Sequence, residues 1–188
     1  MASYTLLDTA GAVEQLRAGH VIAYPTEAVY GLGCDPSNES AVRKLLLLKG
    51  RKESAGLVLI ASDFSQLQPW IADIDESLIN KAMRTWPGPV TWLFPRAAGV
   101  PDYVAGKHDT IALRITAHKS SRDLCVAFGS ALVSTSANHT ADRPARSVEE
   151  VNDYFGHNIK GILIGPLGGA ENPSEIRDLI SGNIIRQG

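Results

Sequence analysis

Short apolar runs alternate along the chain with stretches whose apolar positions recur every three or four residues, the signature of strands interleaved with amphipathic helices. Val21-Ile22-Ala23-Tyr24 reads as a strand closed by Pro25, whose missing N–H ends a central ladder. A polar Thr26-Glu27 step follows, and Gly31 and Gly33 read as a turn that a side chain would obstruct. Val42, Leu45, Leu46 and Leu48 then predict a helix, capped by Asn38 or Ser37 and ending in Lys49-Gly50-Arg51-Lys52. Upstream, Tyr4 to Leu7 reads as a short strand. The helix after it is capped by Asp8 or Thr9, buries Val13 and Leu16, and stops at Gly19.

Downstream, Leu57 to Ala61 is continuously apolar, as in a strand covered on both faces. Asp75 to Trp86 reads as a helix stopped by Pro87-Gly88-Pro89, and Val90 to Phe94 as a strand closed by Pro95. Arg96 to Lys107, with Gly99, Pro101 and Gly106, reads as loop. From Ile111 to Ile115 the residues alternate, with Ala112 and Arg114 on the face opposite Ile111, Leu113 and Ile115. A short helix through Leu124 to Phe128 precedes a strand, Ala131 to Val133, that runs into Ser134-Thr135-Ser136-Ala137-Asn138. Ser147 to Glu150 has capping-box spacing, and Ile162 to Ile164 and Ile184 to Arg186 supply the last strands. The expectation is a single α/β domain over residues 1–188, with a mixed, twisted, open sheet flanked by helices. Strands bounded by proline speak against a uniformly parallel sheet.

Composition narrows the function. The chain has 188 residues, 44% hydrophobic and 20% charged, with a net charge of −2. That balance is globular and excludes a whole-surface nucleic-acid binder, which is strongly basic. Five of the ten residues from Arg43 to Lys52 are nonetheless Lys or Arg, either a solvated face or a local anion patch. Cys34 and Cys125 have no CxxC partner and read as reduced, buried thiols. The histidines are scattered singly, so no dedicated metal site is expected. Met1-Ala2-Ser3-Tyr4 shows no basic start to a signal segment, and no apolar run approaches the roughly 18 residues of a membrane span. A cytoplasmic protein with no membrane association is expected.

Three places put polar groups where strands end, the usual position of ligand sites in α/β folds. These are Thr26-Glu27, Arg114, and the run from Ser134 to Asn138. Each has a plainer reading: a turn, a structural salt bridge, and a polar loop. Lys49 and Arg51 likewise fit ordinary cations at a helix C-terminus. No GxSxG elbow marks a nucleophilic serine, and no GxxxxGK[ST] loop is present.

Taken in order, YPTEAVYGLG, Lys49-Gly50-Arg51, the arginine of ALRIT, STSAN and PSEIRD resemble the YrdC/TsaC family of threonylcarbamoyl-AMP synthases in its short bacterial form. The resemblance spans roughly positions 20–188. It implies that L-threonine, bicarbonate or CO2, and ATP yield threonylcarbamoyl-adenylate and pyrophosphate, with Mg2+ arriving on ATP. The product would pass to downstream tRNA threonylcarbamoyl-transferase proteins for t6A modification. By matching position, Thr26, Arg114, Ser134 and Ser174 would meet threonine. Lys49, Arg51, Ser136, Asn138 and Arg186 would meet ATP, with Lys49 and Arg51 carrying transition-state charge. The chain departs from the family pattern at Lys52, at Ala55-Gly56 and at His139-Thr140-Ala141. The rival reading is a non-catalytic RNA-binding or ribosome-maturation factor, favoured only by the Arg43–Lys52 run.

Overall fold

A computed structural model describes residues 4–188; the expectation placed on Met1 to Ser3 lies outside them. In chain order the elements are β1 (Leu6–Leu7), α1 (Thr9–Arg17), β2 (Ile22–Pro25), β3 (Tyr30–Gly33), α2 (Glu39–Lys49), β4 (Val58–Ala61), α3 (Glu76–Met83), β5 (Val90–Pro95), α4 (Asp102–Ala105), β6 (Thr110–Ile115), α5 (Lys119–Phe128), β7 (Leu132–Ser136), α6 (Val148–Phe155), β8 (Ile162–Leu163), β9 (Glu175–Asp178) and β10 (Ile184–Arg186). Ten strands join in the order β1-β8-β2-β3-β7-β4-β6-β5-β9-β10. β4 and β6 are parallel, whereas β3 with β7, β4 with β7, and β5 with β6 are antiparallel. The sheet is therefore mixed and open, as expected.

Local chemistry explains most boundaries. Asp8, Asn38, Asp75 and Ser147 each accept a backbone N–H in the first turn of their helices. Gly50, at φ 59, ends α2 in a conformation that costs glycine nothing. The capping box is half made: Ser147 takes the N–H of Glu150, but the Glu150 carboxylate receives the Arg146 N–H at 2.6 Å.

Three elements differ from the sequence reading. Gly31 and Gly33 lie inside β3, not in a turn; β2 and β3 form a hairpin whose tip is residues 26–29. The loop expected from Arg96 to Lys107 contains α4, which starts directly after Pro101, the N-cap residue. PSEIRD forms β9, which pairs in parallel with β5.

Alternation in the strands sends side chains to two unequal cores. One face, with Ala23, Leu32, Leu59, Leu113 and Val133, is covered by α2, α3, α4 and α6. The other, with Ile22, Tyr24, Ile60 and Leu132, is covered by α1 and α5 alone. Those two helices do not reach across the whole sheet, and the uncovered part of that face becomes a cleft. Cys34 and Cys125 are both buried and unbonded, and burial pushes both thiols up. Among the described residues no helix is long and apolar enough to cross a membrane.

Gly33 shows how tightly the second core is closed. The Tyr24 ring crosses it so that its hydroxyl donates to Val133 O at 3.0 Å. A Cβ at position 33 would sit 2.5 Å from Tyr24 Cε1 and 2.6 Å from Val133 O. Gly33→Ala is expected to lower the unfolding free energy by about 1–3 kcal/mol, the usual cost of overpacking. Urea denaturation checks this, and an unchanged midpoint would contradict the packing described.

Candidate active site

The cleft has a volume of about 270 Å³. Strand register assembles it: Val58 stands beside Ser134, Ile60 beside Arg114, Gly31 beside Ser136, and Ile176 beside both Thr91 and Arg186. All of these share the face that α1 and α5 leave open. The sequence reading put the polar groups at strand ends. Arg114 in fact lies within β6, and it reaches the cleft because that part of the face carries no helix.

Thr26, Arg51, Arg114, Ser134, Ser136, Ser174 and Arg186 all line this one cleft. The Thr26 hydroxyl donates to Val29 O at 2.6 Å, which fixes the hairpin tip and leaves the oxygen free to accept. Gly31 keeps the floor open, since a Cβ there would lie 3.2 Å from Thr26 Cγ2 and 3.6 Å from Ser134 Oγ. Ser174 Oγ is 2.9 Å from Thr91 Oγ1.

Three guanidinium groups converge on the cleft. Arg114 is 7% exposed, and its Nη1 lies 2.8 Å from Glu27 Oε2. Arg51 is half-buried and donates to Gly56 O at 2.8 Å and to Ala55 O at 3.3 Å. Arg186 donates to Ser174 O at 2.6 Å. Burial pushes Arg51 and Arg186 below the usual guanidinium range, and the charges of Arg114 and Arg51 push Arg186 further. Among the described residues lining the cleft, Glu27 is the one carboxylate. Burial raises its pKa, but Arg114 and the Thr116 hydroxyl outweigh that and hold it below the usual carboxylate range.

Lys49 and Asn138 are not brought to the cleft wall. The Lys49 ammonium is 3% exposed and points beneath the end of β7, donating to Ser136 O at 2.5 Å and Asn138 O at 2.8 Å. Burial, with Arg51 adding, pushes it down to about 8, which leaves it charged at neutral pH. Asn138 turns inward as well, its Nδ2 donating to His139 O and Asp142 O. The loop after β7 docks on the end of α2. Thr140 N and Oγ1 both donate to Lys49 O, at 2.9 and 2.8 Å, and His139 Nδ1 meets Leu48 O at 2.9 Å. The last carbonyls of α2 thus find partners in His139 and Thr140.

The basic run from Arg43 to Lys52 is not one patch. Arg43 pairs with Glu39 and Glu53, Lys49 is buried and Arg51 faces the cleft, leaving Lys44 and Lys52 exposed. Sequence reasoning missed the segment Ala170 to Pro173, which forms part of the cleft wall. It has no periodicity to betray it, although Gly168 N bonds Thr26 O and Ala170 N bonds Glu27 O.

Fold and cleft together define an α/β protein with an arginine-lined cleft on an open mixed sheet. The sequence matches the family Sua5_yciO_yrdC, described as telomere recombination, over residues 14–188. The chain belongs to this Sua5/YciO/YrdC family. A threonylcarbamoyl-AMP synthase of Halorhodospira halophila (strain DSM 244 / SL1) is 52% identical over 176 residues, 94% of this chain and 92% of that protein. One from Coxiella burnetii (strain RSA 493 / Nine Mile phase I) is 48% identical over 175 residues, 93% of this chain and 94% of that protein. Among solved structures, P. abyssi Sua5 complexed with L-threonine superposes with a TM-score of 0.86 at 29% identity, over 93% of this chain. This chain spans about half of that longer one, 54% of it.

Two substitutions probe the loop that holds the site. Lys49→Met leaves the Asn138 carbonyl without a donor and the Ser136 carbonyl with only the Asn138 N–H, so urea denaturation is expected to show a loss of about 1–3 kcal/mol. An unchanged stability would mean that the ammonium does not support the loop. Ala141 has φ 75, a left-handed conformation disfavoured for any side chain. Ala141→Gly is expected to raise stability by about 1 kcal/mol in the same assay, and a lower stability would contradict the strained geometry.

Proposed function

We propose that this chain is a threonylcarbamoyl-AMP synthase: L-threonine, bicarbonate or CO2, and ATP give threonylcarbamoyl-adenylate and pyrophosphate. The observation that carries the reading is the convergence of Arg51, Arg114 and Arg186 with hydroxyls on one cleft. It occurs in a chain about half identical, over nine-tenths of its length, to relatives of that name. Threonine loses a proton from its amine as the nitrogen adds to CO2, giving a carbamate. A carbamate oxygen then attacks the α-phosphorus of ATP as the bond to pyrophosphate breaks. Both partners are anionic, so the protein's task is to neutralise charge and align them, with no covalent step of its own.

The division of roles is the one the family resemblance implies. Arg114, which lines the cleft with Thr26, Ser134 and Ser174, is assigned the threonine carboxylate, which suits its planar fork. Arg51, Arg186 and Ser136 are assigned the nucleotide and its phosphates. Lys49 and Asn138 are positioning residues: from behind the cleft they fix the turn that carries Ser136. Mg2+ enters with ATP. Phosphates and water are the natural ligands of that ion. The acyl-adenylate is labile and is consumed by a tRNA threonylcarbamoyl-transferase in t6A modification, which sets the work in the cytoplasm.

The test is to incubate the protein with ATP, Mg2+, bicarbonate and single amino acids and to follow pyrophosphate. Release is expected only with threonine and bicarbonate together; equal release with serine or valine, or without bicarbonate, would overturn the assignment. Arg51→Ala is expected to cut turnover at least ~100-fold, the scale of one oxyanion-type contact. Near-normal turnover by the folded variant would remove Arg51 from the mechanism.

A further inference from the structure

A cleft built only for anions has no use for a carboxylate in its wall, yet Glu27 stands there beside Arg114. Its side chain is 17% exposed, and its Oε2 lies 2.8 Å from Arg114 Nη1. At that separation the two form an ion pair, but the angle does not make a hydrogen bond. Glu27 Oε2 and Arg114 Nε are both sheltered from solvent and have no hydrogen-bond partner. Buried ion pairs normally saturate their donors and acceptors, because an unmatched polar atom is costly. Here one acceptor and one donor of the same ion pair are left without a hydrogen bond.

The carboxylate is also held rigidly from behind. Thr116 Oγ1 donates to Glu27 Oε1 at 2.7 Å and itself accepts the His118 N–H at 3.1 Å. The Glu27 carbonyl takes the Ala170 N–H at 2.9 Å. Gly168 packs so closely that a Cβ would meet Glu27 Cα at 2.9 Å. Oε1 is therefore occupied and Oε2 is left beside Arg114.

We propose that Glu27 is the subsite for the α-ammonium group of the amino-acid substrate, so that Glu27 and Arg114 together read a zwitterion. The inference rests on the amino-acid reading of the cleft given above. In an α-amino acid the carboxylate and the ammonium are both attached to the α-carbon, which matches two opposite charges in contact. The substrate carboxylate meets the open side of the guanidinium while the ammonium donates to Oε2. A hydroxy acid lacking the nitrogen would leave Oε2 unmatched. The pair thus selects an amino acid over other small carboxylates before any chemistry begins.

The test is calorimetric titration of the whole chain, without ATP, using L-threonine and (R)-3-hydroxybutanoate, which keeps every group except the amine. The wild-type protein is expected to bind threonine at least ~10-fold more tightly, the scale of one charge-assisted hydrogen bond. Glu27→Gln is expected to lose at least ~10-fold for threonine while keeping its affinity for the hydroxy acid, with ATP affinity within about two-fold of wild type. Equal wild-type affinity for the two ligands would overturn the proposal. So would an equal loss of both in Glu27→Gln, which would mean that Glu27 acts only by holding Arg114. If Glu27→Gln does not fold, Glu27→Asp replaces it; this variant keeps the charge but withdraws it by one methylene, and the same loss confined to threonine is expected. A wild-type protein that binds ATP but neither carboxylate would reject the amino-acid reading itself, and the subsite with it.

Discussion

Like charges gathered on one uncovered stretch of sheet are the constraint on which this structure depends. Arg51, Arg114 and Arg186 come from three distant parts of the chain and reach one cleft with a single carboxylate among them. Each is partly removed from water, and Arg186 feels the other two. Repulsion of that kind works against the folded state, and bound anions relieve it. The fold tolerates it because the groups are anchored elsewhere: Arg51 to the carbonyls of residues 55 and 56, Arg186 to that of Ser174, Arg114 to Glu27. A site so arranged presents fixed positive charge to anionic ligands.

The second condition is shape. Two helices cover one face of the sheet where four cover the other, and the shortfall leaves the cleft. Its rim is held by interlocked termini. The loop after β7 supplies hydrogen bonds to the last carbonyls of α2, and α2 returns the Lys49 ammonium to the carbonyls at the end of β7. The turn bearing Ser136 and the helix leading to Arg51 are therefore one mechanical unit. Burying an ammonium is unfavourable, as the fall of Lys49 to about 8 records, and two short hydrogen bonds offset that cost.

Most strands and helices were legible because apolar periodicity and caps agree. Asp8, Asn38, Asp75 and Ser147 begin helices where the pattern predicted them. β3 was not legible: with two glycines in four residues it looks like a turn, and only the crossing Tyr24 ring explains why glycine is needed there. α4 is a single turn within a Pro- and Gly-rich stretch, too short for any period to register. At the site, hydroxyls and arginines could be named from ordered motifs, but the direction of a side chain could not. Lys49 has the spacing of a surface cation at a helix end. It turns inward because Ser136 and Asn138, nearly ninety residues later, present carbonyls to it. Glu27 was visible only as half of a polar step, since its partners Arg114 and Thr116 are brought to it by the sheet.

A crystal structure of the protein with L-threonine and a non-hydrolysable ATP analogue tests this account most directly. The account predicts the threonine carboxylate on Arg114, and the nucleotide phosphates within hydrogen-bond reach of Arg51 and Arg186 on the open sheet face. Nucleotide bound elsewhere, with those two guanidinium groups still resting on their own carbonyls, would contradict it.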